Sequence, residues 1–244
     1  MSDKPYQTQL IFFPFAGASF YSFNPLINSI PEDRINVRVL ELPGRGKRIK
    51  EPLISDVETM AQDFFVLIKD TLSIPFAFFG HSLGAVLAYE VILKLIDSGA
   101  DLPCRLFVSG RGGPRVPPRN PRIANLPKNE FFEELKIFDG TPAQMFEEKD
   151  LMDFLEPMLR ADFAAAGSYA PEQIRRIPLP VTAFNGEGDT VSREDALAWQ
   201  DVTDIPLTLK EFHGNHFFIF DHGEKLWSAM STALKLSLDG NSLS

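Results

Sequence analysis

Ser82 lies in Gly80-His-Ser-Leu-Gly84, a G-x-S-x-G pentapeptide. Glycines two residues before and two after a serine let the backbone turn sharply and leave the hydroxyl exposed at the top of a sheet, the arrangement called a nucleophile elbow. A serine hydroxyl is a weak nucleophile at neutral pH. It needs a histidine to take its proton and a carboxylate to fix that histidine's tautomer and steady its charge. With this elbow the order along the chain is serine, acid, histidine. The chain has four histidines. His81 adjoins the serine, its side chain directed away from the hydroxyl, and reads as a packing or hydrogen-bonding residue. His216, in Gly214-Asn-His-Phe-Phe218, stands in a loop just past the last strand pattern and is the first choice, with His213 the fallback and His222 in the approach to the last helix. Asp189 ends the loop Phe184-Asn-Gly-Glu-Gly-Asp189 and is the first choice of acid, with Glu187 its nearest rival. Asp162, Asp195 and Asp201 fall on or beside helix patterns, where solvated carboxylates are common. The chemistry these residues imply is acyl transfer. Ser82 attacks a carbonyl carbon, His216 carries the proton to the leaving group, and water clears the acyl-enzyme. Backbone amides of Leu83 and Ala16 are the candidates to hold the oxyanion. For Ala16 a plain strand-to-helix turn explains the small residues equally well.

The elements that must position these residues alternate between strand and helix patterns. Thr8 to Pro14 is a continuous apolar run, the signature of a buried parallel strand, and leads into Phe15-Ala-Gly-Ala-Ser19. Val37 to Leu40 is a short strand closed by Pro43-Gly-Arg-Gly46. A capping-box pattern at Ser55 to Glu58 starts an amphipathic helix that continues to about Leu72. The elbow strand follows, then a helix from Leu83 that stops near Gly99, then a strand over Arg105 to Ser109. Strand patterns resume at Val181 to Asn185 and at Leu207 to Phe212, with helices over Arg193 to Gln200 and Lys225 to Leu238. This alternation predicts an α/β fold with a mostly parallel central sheet flanked by helices. Between the fourth and fifth strands the pattern changes to helix after helix, over Asn129 to Phe138 and Leu151 to Ser168, with Thr141-Pro142 a helix start. Residues 111 to 175 are therefore read as a helical lid inserted into one domain spanning 1 to 244. Its phenylalanines, Phe131, Phe132, Phe138, Phe146, Phe154 and Phe163, fit either an apolar acyl channel or the lid's own core.

A net charge of -9 and a pI near 5.0 argue against nucleic acid as a ligand. No signal peptide and no membrane-spanning run is visible, so a soluble cytoplasmic protein is expected. The single cysteine, Cys104, rules out an internal disulfide and reads as a structural thiol. No metal or cofactor is expected.

Taken together, Phe12-Phe-Pro-Phe-Ala-Gly17, Pro43-Gly-Arg-Gly46, Gly80-His-Ser-Leu-Gly84, Phe184-Asn-Gly-Glu-Gly-Asp189 and Gly214-Asn-His-Phe-Phe218 resemble the motifs of the type II, or editing, thioesterases of nonribosomal peptide and polyketide synthesis. The resemblance runs from Leu10 to about Leu236. It implies an α/β-hydrolase fold with a helical lid, and hydrolysis of acyl groups from the 4′-phosphopantetheine arm of carrier proteins, clearing stalled or misprimed assembly lines. It places the triad on Ser82, Asp189 and His216 and the oxyanion positions on Ala16 and Leu83. One departure is Gly214-Asn-His where Gly-Gly-His is commoner. A monomer is expected. Two basic clusters are candidates for carrier docking or are solvated loops: Arg45, Lys47, Arg48 and Lys50, and Arg111, Arg115, Arg119 and Arg122. The same triad would serve a general carboxylesterase or a fatty-acyl or acyl-CoA thioesterase. A catalytically silent binding module on a hydrolase fold is the alternative from another class, against which the intact Ser82, Asp189 and His216 speak.

Overall fold

The computed structural model describes residues 8–30, 35–72, 75–137 and 148–240, with side chains as far as Leu234. Six strands, β1 (Thr8–Phe13), β2 (Ile35–Val39), β3 (Phe76–His81), β4 (Leu106–Ser109), β5 (Val181–Gly186) and β6 (Thr208–Phe212), form one sheet in the order β2-β1-β3-β4-β5-β6. Every neighbouring pair is parallel. The four inner strands are the apolar runs, because a strand covered on both faces has no side to give to water. β6 lies at an edge, and its side chains are exposed or half-buried.

Alternate side chains of these strands feed two cores. On one face Phe13 and Phe78, with ring centroids 4.8 Å apart, pack under α2 (Val57–Ile68) and α3 (Leu83–Ser98). On the other, Phe12 and Phe79, 4.9 Å apart, pack with Leu26 of α1 (Asn24–Ile27) and with Leu226 and Met230 of the last helix. α2 is capped by Asp56, not Ser55: its carboxylate accepts the Thr59 amide at 2.8 Å, and the helix ends at Ile68, short of Leu72. Gly99 ends α3 in the left-handed region with φ 68°, and a Cβ there would meet nothing within 4 Å. Its glycine answers to backbone conformation alone. Cys104 is half-buried, and burial pushes its thiol pKa up, as suits a structural thiol.

Residues 110–180 separate β4 from β5 and carry α4 (Lys128–Lys136) and α5 (Lys149–Ser168), close to the helices expected there. The Thr141-Pro142 helix start, Phe138 and Phe146 lie outside the described residues. α5 is held to the turn at Ile123–Asn125 by Arg160, whose guanidinium donates to the carbonyls of Ala124 at 2.6 Å and Leu126 at 3.0 Å. Phe131 is buried in the insertion's own small core with Ile123 and Leu135, and Phe132 packs against it, whereas Phe154 is exposed. The chain finishes through α6 (Arg193–Leu197), a 3-10 turn Ala198–Val202, α7 (Phe218–Asp221) and α8 (Gly223–Gly240). No helix among the described residues is long and apolar enough to cross a membrane.

Candidate active site

The sheet order reverses between β1 and β3: from β1 the chain goes to β2 on one side and returns to β3 on the other. Such a switch point opens a crevice beyond the carboxyl ends of the two strands. Here it sets the Phe15–Ser19 loop beside the elbow, with Phe13 in register with Gly80. Ser82 has φ 54° and ψ -118° and is the one non-glycine residue with positive φ among those described. Its two glycines are required by space. A Cβ on Gly80 would sit 2.2 Å from the Gly84 carbonyl oxygen, and one on Gly84 would sit 2.2 Å from that of Phe13. The Ser82 amide donates to the Ser109 carbonyl at 2.8 Å, which ties the strained residue to β4. Leu83 is the first residue of α3, so its amide belongs to the set that a helix leaves without an intrahelical partner.

Asp189 and His216 come together. The His216 Nδ1 lies 3.0 Å from each Asp189 carboxylate oxygen, the carboxylate side chain is fully buried, and the imidazole is 6% exposed. Against an ionised carboxylate Nδ1 must carry the proton, which leaves Nε2 as the nitrogen that accepts one. The loops that bring them together are laced by backbone bonds: the Glu187 amide donates to Phe212 and that of Gly188 to Gly214, both at 2.8 Å. Glycine is needed again, since a Cβ on Gly186 would approach the Asn215 carbonyl oxygen at 2.6 Å. Asn215, the departure from Gly-Gly-His, supports the histidine loop: its side-chain oxygen accepts the Phe217 amide at 3.0 Å, an Asx turn. The rivals fall elsewhere. Glu187 and His213 face each other on the surface, with His213 93% exposed.

Ser82, His216 and Ala16 line one cavity of about 290 Å³, walled also by Phe15, Val116 and Phe163. Of the four insertion phenylalanines among the described residues, Phe163 reaches it. Phe15 and Phe217, from the loops after β1 and β6, supply other aromatic wall. His81 is fully buried and packs as expected, its Nδ1 3.1 Å from the Ser109 hydroxyl. Its ring also lies on that of His216, centroids 4.9 Å apart, a contact the sequence does not reveal. Burial holds the His81 pKa well below its ordinary value, and the neighbouring His216 adds to this.

Of the basic clusters, Lys47, Arg115 and Arg119 are exposed, and Arg119 stands at the cavity. Arg45 and Arg48 are not free cations. Arg45 is 4% exposed and clasps Asp162 with both terminal nitrogens, at 2.6 and 2.7 Å. Arg48 is engaged by Asp63 and Glu51, which raise its pKa. Arg111 is half-buried, and burial lowers its pKa. An ion-paired guanidinium already has its charge compensated, so Arg45 and Arg48 are removed from that set, whereas Arg111 lines the cavity beside Ser82. Asp162, read from sequence as a solvated helix carboxylate, is fully buried. No group of three or more histidine, cysteine or acidic side chains suited to a metal occurs among the described residues.

Comparison with known proteins bears on what this arrangement does. Residues 8–234 match the family described as "Thioesterase domain". The gramicidin S biosynthesis protein GrsT of Aneurinibacillus migulanus is 31% identical over 231 residues, covering 94% of this chain and 90% of that protein. The crystal structure of ClbQ from the colibactin nonribosomal peptide and polyketide pathway superposes with a TM-score of 0.86 at 28% identity, covering 95% of this chain and 98% of that one. The type II thioesterase BorB of the borrelidin biosynthetic cluster gives 0.82 at 28% identity, covering 95% and 93%.

Proposed function

The chain belongs to the thioesterase-domain family, and we propose from that premise that it is a serine hydrolase which releases acyl groups from the 4′-phosphopantetheine arm of carrier proteins in nonribosomal peptide or polyketide assembly. The observation that carries the chemistry is the buried Asp189 bonded to His216 on the wall of the cavity that holds Ser82. In this reading the thioester carbonyl enters beside Ser82. His216 Nε2 takes the hydroxyl proton, the hydroxyl oxygen bonds to the carbonyl carbon, and the amides of Leu83 and Ala16 hold the oxyanion. Collapse breaks the carbon–sulfur bond, and the imidazolium returns its proton to the departing thiolate. Water, deprotonated by the same histidine, then hydrolyses the Ser82 ester. The cavity wall of Phe15, Val116, Phe163 and Phe217 favours an apolar acyl group.

The assignment to carrier proteins is supported by the relatives of known pathway, with which the chain shares nearly its whole length. Hydrolysis rates on one acyl group presented as acyl-carrier protein, as acyl-CoA and as a simple ester test it. Faster turnover per encounter on the carrier-borne group supports the reading. A preference for acyl-CoA or for the ester would replace it with a free-thioester or carboxylesterase activity.

A further inference from the structure

Asp162 is a fully buried carboxylate on α5, in the insertion, yet its partners belong to the β1 and β2 loops. Its Oδ2 accepts the Gly17 amide at 2.7 Å and Arg45 Nη1 at 2.6 Å, while Oδ1 accepts Arg45 Nη2 at 2.7 Å. The same Arg45 Nη1 donates to the Ala18 carbonyl at 3.3 Å. Three segments distant in sequence thus meet on one carboxylate, and two of the four hydrogen bonds, to the Gly17 amide and the Ala18 carbonyl, hold the residues that follow Ala16.

The geometry of that turn explains why this matters. The Ala18 amide donates to the Phe15 carbonyl at 3.0 Å, and Gly17 at the third position has φ 81°, the form of a type II turn. A peptide unit is planar and trans, so its carbonyl and its N–H point in opposite directions. With the Phe15 carbonyl drawn into the turn toward Ala18, the Ala16 N–H of the same unit is directed away from the turn. The next peptide unit, Ala16–Gly17, is the one whose flip distinguishes type II from type I turns. Asp162 selects the type II form, because it accepts the Gly17 N–H and would repel the Ala16 carbonyl that a flip would bring there. Arg45 in turn fixes the carboxylate with a two-pronged bond and neutralises its charge. α5 also packs on the turn directly: a Cβ on Gly17 would meet Leu159 Cδ2 at 2.7 Å.

We propose that Asp162 and Arg45 are positioning residues for the oxyanion-binding amide of Ala16, so that the insertion helix α5 completes the hydrolytic site through the β1 loop. The proposal rests on the acyl-transfer reading above. Neither side chain touches the reacting atoms. A misplacement of the order of 1 Å at a catalytic group costs about 10²-fold in rate, which sets the expected scale.

The test uses the full chain carrying Asp162→Asn or, separately, Arg45→Lys. On an acyl thioester Asp162→Asn is expected to lower kcat about 10²-fold with KM little changed, and Arg45→Lys, which keeps the charge but loses the fork, about tenfold. Affinity for an acyl trifluoromethyl ketone, whose adduct with Ser82 carries an oxyanion, should fall in parallel, while affinity for the matching methyl ketone should hold. Circular dichroism and melting identify folded variants, and Arg45→Lys alone decides if Asp162→Asn does not fold. Unchanged kcat and trifluoromethyl ketone affinity in a folded variant, or equal losses for the two ketones, overturn the proposal. If the wild-type chain turns over no thioester yet binds the trifluoromethyl ketone more tightly than the methyl ketone, the thioester substrate is what fails and the ketones still report on the amide; if it also binds the two ketones alike, the acyl-transfer reading fails and this proposal with it.

Discussion

Two carboxylates are withdrawn from water at the same end of the sheet, and each grips one cationic or basic side chain from a different loop. Asp189 holds His216, and Asp162 holds Arg45. Their surroundings assign them different work. Asp189 faces an imidazole on the cavity that also holds Ser82, where a fixed tautomer and a stabilised imidazolium lower a barrier. Asp162 faces a guanidinium that cannot shuttle a proton, plus one backbone amide, so its effect is confined to where the backbone lies. A buried carboxylate near a catalytic serine is therefore not by itself a catalytic acid. What its partner can do with a proton decides.

The largest expected effect falls on the catalytic side. Asp189→Asn should lower kcat by about 10⁴-fold, the scale for replacing a triad carboxylate by its amide, while steady-state kinetics on the same thioester put Asp162→Asn at about 10²-fold. Equal losses would erase the distinction between the two. Stability should rank them the other way. Arg45→Met leaves the Asp162 charge buried and unpaired, at a cost of about 3–5 kcal/mol in urea unfolding. Asp189→Asn leaves no uncompensated charge, and a cost as large as that of Arg45→Met would contradict the account.

A smaller effect concerns pH. Burial holds His81 below its ordinary pKa, so below about 6.5 the unfolded chain binds a proton that the folded chain refuses. The stability this neutral histidine contributes above that pH is lost as the pH falls. Between pH 7 and 5.5 the wild type should lose about 1 kcal/mol more than His81→Gln, and parallel curves would show that His81 is not held neutral. The smallest effect is expected at the exposed arginines. Reversing charge at Arg115 and Arg119 should raise KM for an acyl-carrier protein by about three- to tenfold, or about 1 kcal/mol, and leave a small acyl thioester unaffected. Equal changes on both substrates would remove these residues from docking.

The contrast between the two carboxylates also shows what a sequence can carry. All six strands were legible: the four inner ones, buried on both faces, read as apolar runs, and the glycine loops punctuate these and the two edge strands β2 and β6. Ser82, Asp189 and His216 were legible because each follows a strand end in the order the fold demands, and the structure brings Asp189 and His216 into contact. Asp162 was not. It sits within an amphipathic helix, and its partner Arg45 is 117 residues away in a loop that reads as a solvated basic cluster. Nothing local marks a charge that will be buried by a helix arriving from another part of the chain. The α2 cap was displaced by one residue for a related reason: Ser55 and Asp56 are both good caps, and backbone conformation chooses between them. The cavity wall was misplaced in part because aromatic residues at helical spacing look alike whether they fill a lid core, as Phe131 does, or line a cavity, as Phe163 does.

The central claim is that Ser82 takes the acyl group from a carrier-borne thioester. Rapid quenching of the protein mixed with an acyl-carrier protein, followed by intact and peptide mass analysis, tests it most directly. The account predicts a transient mass increase equal to the acyl group, mapped to Ser82, lengthened in lifetime by Asp189→Asn and absent in Ser82→Ala. Hydrolysis of the carrier thioester with no adduct on Ser82, or undiminished hydrolysis by Ser82→Ala, would contradict it.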